Sequence, residues 1–209
     1  MTGEATNAHG SESDRDRSAG DQDAAETTPA LVVIDMQRIF GDPRSEWFAP
    51  RFAEASSAIA TLVDVWGSPP IYTRFVAPAV PEGVWRAYYE QWPFALVSAQ
   101  HELYDIVPEL DTTDRIVIDR TTFGKWGPEL SEALNGNGEL VLVGVSTDCC
   151  VLSTALAAAD AGVHVRVVAD ACAGVSDEDH KRALDVMALY GPLIDITTVA
   201  EVLATVKPS

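Results

Sequence analysis

Basic residues are scarce in this chain. Its 209 residues hold 14 lysines and arginines against 32 acids, a formal net charge of -18. A surface of that sign repels phosphate backbones and anionic bilayers, so nucleic-acid binding and membrane docking are set aside. Cysteine is equally sparse. Cys149, Cys150 and Cys172 are too few and too crowded for an extracellular disulfide framework. No apolar run approaches the roughly 20 residues that span a bilayer. The first ten residues, MTGEATNAHG, lack the apolar segment of a signal peptide. A cytoplasmic protein is the expectation. Motifs are missing too: there is no G-x-S-x-G elbow, no G-x-G-x-x-G after a strand and no Walker loop. The four histidines, His9, His101, His164 and His180, are scattered, which leaves no Cys–His pair of the protease kind.

What is present reads as one globular unit. Hydrophobic residues make up 47% and charged residues 22%, and the length suits a single α/β core without metal or disulfide staples. Residues 1–28 stand apart, with seven acids, two bases and no large apolar side chain beyond Met1. Such a segment cannot offset its chain entropy by burial, so a disordered acidic tail is expected, followed by one domain over 29–205. From Ala30 onward, short β-branched runs recur: ALVVID (30–35), PIYTRF (70–75), RIVID (115–119), ELVLVGV (139–145), VHVRVVA (163–169) and LIDITTV (193–199). Their apolarity is continuous rather than alternating, which predicts strands of a parallel sheet covered on both faces. Helical spacing lies between them. Phe52, Ala55, Ile59, Leu62 and Val63 share one face, as do Val151, Thr154, Ala155 and Ala158, while Asp177–Leu189 carries Ala183, Val186 and Met187 on an inner stripe. The alternation predicts an α/β fold, a three-layer α/β/α sandwich around a roughly six-stranded parallel sheet with Rossmann-like topology.

One stretch departs from the alternation. Residues 76–94 read VAPAVPEGVWRAYYEQWPF, with Trp85, Tyr88, Tyr89, Trp92 and Phe94 within ten positions. Long excursions of this kind serve as lids or interfaces. In an open parallel sheet the ligand site lies beyond the carboxyl ends of the strands. That rim holds Asp35, Arg74, Asp119, Arg120 and residues 146–150. In GVSTDCC, Thr147 or Asp148 is a candidate N-cap, which puts Cys150 in a first helical turn. There the helix dipole and unpaired N–H groups favour a thiolate and can hold an oxyanion. Packing as a small apolar residue is the competing reading of Cys150. Asp35 is the candidate base.

Three segments carry a resemblance: LVVIDMQRIF (31–40), IVIDRTTFGKW (116–126) and LVGVSTDCCVLSTALAAADAG (142–162). In order and spacing they resemble the signature segments of the isochorismatase-like cysteine hydrolases, over about residues 30–203. The resemblance implies an Asp, Lys, Cys triad in which Asp35 is the base and Cys150 the nucleophile. Arg120 occupies the lysine's position. It keeps the charge but is planar and effectively never deprotonated. Lys125 is expected on the surface of the next turn, with a role only if a proton must be shuttled. The resemblance further implies a cis peptide between Val145 and Ser146, an oxyanion site built from the Ser146 and Cys150 N–H groups, and C–N bond cleavage through a thioester. Isochorismatases themselves carry aspartate where this chain has Cys150, which argues against their vinyl-ether reaction. The family's nicotinamidases hold a metal with an Asp-x-His pair after the second strand. Thr73, Arg74 and Phe75 stand there instead, so neither metal nor cofactor is expected.

The expected protein is thus a metal-independent cysteine amidohydrolase acting on a small amide, lactam or carbamoyl compound, and a homo-oligomer as family members commonly are. Phe40, Trp85, Tyr88, Trp92 and Trp126 are candidate pocket walls, with a subunit interface as the alternative for the aromatic segment. A binding-only relative is the second reading, because Arg120 could equally be a structural ion-pair partner of Asp35 or Asp119. A dithiol redox role for Cys149 and Cys150 is poor, since adjacent cysteines form strained disulfides.

Overall fold

The computed structural model describes residues 28–205, so the tail expected over residues 1–28 lies, save Thr28, outside the described residues. Six strands form one sheet: β1 (Ala30–Ile34), β2 (Ile71–Phe75), β3 (Ile116–Arg120), β4 (Glu139–Val145), β5 (His164–Ala173) and β6 (Ile194–Thr197). All neighbours are parallel, in the order β3-β2-β1-β4-β5-β6. Each falls on one of the β-branched runs. Successive side chains of a strand point to opposite faces, so β1 feeds two cores. Leu31 and Val33 pack with α2 (Phe52–Val65) and α7 (Val199–Thr205), while Val32 and Ile34 pack with α4 (Pro128–Ala133), α5 (Leu152–Asp160) and α6 (Asp177–Ala188). This is the three-layer sandwich.

Some details differ from the sequence reading. β3 is an edge strand, and Ile116 and Val117 are exposed on it rather than covered. Val186 is exposed as well, because α6 buries only a narrow stripe through Ala183 and Met187. β5 extends to Ala173 past a register shift against β4 between Leu142 and Gly144. Gly144 sits at φ +118°, and a Cβ there would collide with the Ile34 carbonyl oxygen. Only glycine lets β4 pass this close to β1.

The chain moves outward from β1 to β3, then returns to lay β4 against the free side of β1. That reversal opens a crevice between the carboxyl ends of β1 and β4, where α/β sheets bind ligands. Gln37, which precedes the one-turn helix α1 (Arg38–Gly41), fixes one wall. Its buried amide donates to the carbonyls of Phe75 (3.1 Å) and Tyr104 (3.0 Å) and accepts from the Phe75 N–H (2.8 Å). It thereby ties the end of β2 to the long excursion. That excursion is folded: it carries α3 (Trp85–Gln91) and single 3₁₀ turns at Pro93–Ala95 and Glu102–Tyr104.

Candidate active site

Asp35 follows β1 directly, at the rim of the crevice, with a left-handed φ of 49°. Its N–H meets the Thr73 carbonyl (3.2 Å) and hydroxyl (3.3 Å), and the same hydroxyl donates to Oδ1 at 2.7 Å. Both carboxylate oxygens therefore have fixed positions. Oδ2 lies 2.9 Å from Lys125 Nζ, and both side chains are 0% exposed. No donor is aligned on Oδ2 well enough for a hydrogen bond among the described residues, so this oxygen keeps capacity for one more proton. Lys125 is held from three sides. Nζ donates to the Thr122 carbonyl at 2.9 Å and stands 4.9 Å from the centre of the Phe75 ring, and the backbone N–H donates to Thr154 Oγ1 at 2.9 Å. Thr154 in turn donates to the Cys150 carbonyl at 2.6 Å. One hydroxyl thus links the lysine's backbone to that of Cys150.

The cation beside Asp35 is therefore Lys125, not Arg120, and Lys125 is buried rather than on the surface. Arg120 leaves β3 in another direction and pairs with Glu129 in the first turn of α4, where Gly127 leaves room for the guanidinium. Arg74 and Asp119 face each other across β2 and β3 in a bidentate pair of 2.7 and 2.6 Å. Of the rim residues, Asp35 and the 146–150 turn come together; the two arginines and Asp119 do not join them. A lysine flanked by Phe123, Gly124 and Trp126 was the sequence signal for burial, since a charge in an apolar stretch needs a buried partner.

The turn after β4 is a π-helical turn, Thr147–Val151, that runs into α5. The N–H groups of Cys149 and Val151 share the Ser146 carbonyl at 3.1 Å each. The Val145–Ser146 peptide is cis. Ser146 is the N-cap residue, and neither Thr147 nor Asp148 caps through its side chain. Thr147 instead meets His180 Nδ1 at 2.8 Å, and Asp148 accepts the Val175 N–H at 2.9 Å, which draws α6 and its leading loop against the turn. Cys150 is buried, and burial pushes its thiol well above the usual range; the Asp35 carboxylate adds to this and Lys125 opposes it. The resting thiolate expected from a helix N-terminus is therefore not favoured here. Burial likewise raises Cys149 and Cys172 to about 12.

Cys149, Cys150 and Ser146 open into a cavity of about 400 Å³ whose aromatic walls include Phe40, Trp47, Tyr88 and Trp92. Of the wall candidates, Phe40, Tyr88 and Trp92 line this cavity. Trp85 packs behind the wall, 5.3 Å from Tyr88 and 5.2 Å from Phe123 between ring centres. Trp126 does not join this cavity. It lines a separate depression with Pro128 and Leu134, because Lys125 points inward and its neighbour turns away. Trp47 and Phe75 were missed. Trp47 comes from an irregular stretch with no periodicity, and Phe75 read as sheet core.

The chain that carries this site has known relatives. A family model described as Isochorismatase domain matches residues 29–201. The chain belongs to the isochorismatase family. "Isochorismatase domain-containing protein 2" of Xenopus laevis is 38% identical over 104 residues, 47% of this chain and 51% of that protein. The match spans 38% to 51% of the length of such curated relatives. Among solved structures of the isochorismatase fold, a cysteine hydrolase from Pseudomonas syringae pv. phaseolicola superposes with a TM-score of 0.75 at 20% identity, over 85% of this chain and 91% of that one. Pyrazinamidase of Pyrococcus horikoshii, in complex with zinc, gives 0.68 at 26% identity, over 82% and 99%.

Zinc does not fit this isochorismatase-family chain at the end of β2. Thr73 is spent on Asp35, Arg74 is a cation paired with Asp119, and Phe75 has no donor atom. No group of three histidine, cysteine or acidic side chains among the described residues is placed to hold an ion. No helix among them is long and apolar enough to cross a membrane.

Proposed function

We propose that this protein is a cysteine hydrolase that cleaves a C–N bond of a small amide, lactam or carbamoyl compound. The observation that carries the reading is the Asp35–Lys125 pair at 2.9 Å, sealed from solvent beside a thiol that opens into an apolar cavity. Asp35 takes the Cys150 proton as sulfur attacks the carbonyl carbon, so the thiolate exists only while the bond forms. The raised thiol fits this order: the proton stays on sulfur until a substrate arrives. The N–H groups of Ser146 and Cys150 receive the oxyanion. The proton held by Asp35 passes to nitrogen, the amine leaves, and a thioester remains. Asp35 then draws a proton from water, whose oxygen attacks the thioester carbonyl and releases the acid and the Cys150 thiol. Lys125, paired with Asp35 at 2.9 Å, holds the carboxylate in place. The binding-only reading drew its support from Arg120 in the lysine position; with Lys125 against Asp35, that support falls away.

The test is a panel of amides, ureas and lactams assayed for ammonia or amine release, with intact-protein mass spectrometry for an acyl adduct on Cys150. Turnover that disappears in Cys150→Ser and persists in Cys149→Ser is the expected result. Hydrolysis undiminished in Cys150→Ser overturns the proposal.

A further inference from the structure

We infer that the pocket selects a cationic amide, one whose body carries an alkylammonium group, with Glu46 as the specificity-determining residue. This rests on the hydrolase reading above for the fate of the ligand, but not for its binding. Six of the eleven residues lining the cavity are aromatic and none is basic. Glu46 is the one carboxylate side chain on its wall, and no described residue forms an ion pair with it. Lys125 is no counter-ion for a ligand, because it is sealed behind Asp35 and spent on it. A substrate carboxylate would therefore trade its hydration for apolar walls with no basic side chain to meet it.

A cation meets the opposite conditions. Trp47 is the hub of the wall, with the ring centres of Phe94, Phe75, Tyr88, Phe40 and Trp92 within 5.2 to 6.3 Å of its own. Aromatic faces, indole above all, attract ammonium groups, and quaternary ammonium is bound in nature by clusters of this kind. Glu46 lies beside this hub in sequence and on the same wall, where its carboxylate adds to the attraction. The chain's net charge of -18 acts in the same direction at longer range.

The test uses three small amides: (trimethylammonio)acetamide, its uncharged isostere 3,3-dimethylbutanamide, and anionic succinamate. Binding to Cys150→Ser is read from tryptophan fluorescence, since Trp47 and Trp92 line the cavity. The ammonium amide should bind roughly five- to thirty-fold more tightly than its isostere. In a background that also carries Glu46→Gln, that preference should shrink at least threefold while binding of the isostere stays unchanged. No preference for the ammonium amide, tightest binding by succinamate, or no binding by any of the three overturns the inference. Ammonia release by the parent protein is scored separately. Selective binding without hydrolysis of any amide would remove the hydrolase reading and leave the cation site standing; hydrolysis without the preference would do the reverse.

Discussion

Two cations compete for one role, and burial decides between them. Lys125 and Asp35 exclude water from each other, whereas Arg120 lies partly exposed against the open Glu129. Losing one partner of a buried pair leaves an uncompensated charge and costs about 3–5 kcal/mol. An exposed pair contributes about 0–1 kcal/mol. Lys125→Met is therefore expected to lower stability by about 3–5 kcal/mol and turnover by roughly 10²–10³. Arg120→Ala should change stability by no more than about 1 kcal/mol and leave turnover within about threefold. Denaturant melts and initial rates on any accepted amide check both. Because Lys125→Met can lose activity merely by unfolding, the double variant Asp35→Asn/Lys125→Met separates the causes. With both charges gone it should regain most of the lost stability and none of the activity. Had sequence alone decided, Arg120 would have taken the role. Periodicity ends at the last residue of β3 and does not state which side chain of residues 121–126 turns inward. The asset of the sequence was chemical: one lysine amid aromatics.

Strands were the most legible elements, because a fully covered parallel strand must be apolar on both sides and shows it as an unbroken run. Short helices were less so; α4 and α7 are too brief for a period to repeat. The π-helical turn was illegible, because its extra residue arises from tertiary partners, His180 for Thr147 and the Val175 N–H for Asp148. The close approach of β4 to β1 had one sequence mark, Gly144 within an otherwise apolar run. Gly144→Ala combines a positive φ with a clash against backbone that has no freedom to withdraw. It should cost at least about 3 kcal/mol, above the ordinary range for a single surface or strand substitution. A chemical-denaturation midpoint matching the parent's would refute that account of the close approach.

At the scale of the whole molecule, the buried thiols give stability a pH dependence. Each is raised in the fold above the value of about 9 that an unfolded thiol has, with Cys172 at about 12 and Cys150 well up. A raised thiol keeps its proton in the fold where the unfolded chain has lost its own. Stability is thus complete below about pH 9 and falls as pH climbs from there toward 12. The slope should be up to about 1.4 kcal/mol per pH unit for each of Cys150 and Cys172. Unfolding free energies at pH 8, 9 and 10 test this, and Cys172→Val should flatten the decline by one thiol's share. A profile rising above pH 9 would contradict the assignment.

The reversal of strand order also governs how the chain is made. Leu31 pairs with Val141, so the two central strands cannot meet until the ribosome has delivered the second of them. At ordinary elongation rates β1 waits on the order of ten seconds with one edge and both apolar faces lacking their final cover. In that interval it is a sticky nascent segment, and the organism that makes this protein must shield it before there is any site to protect.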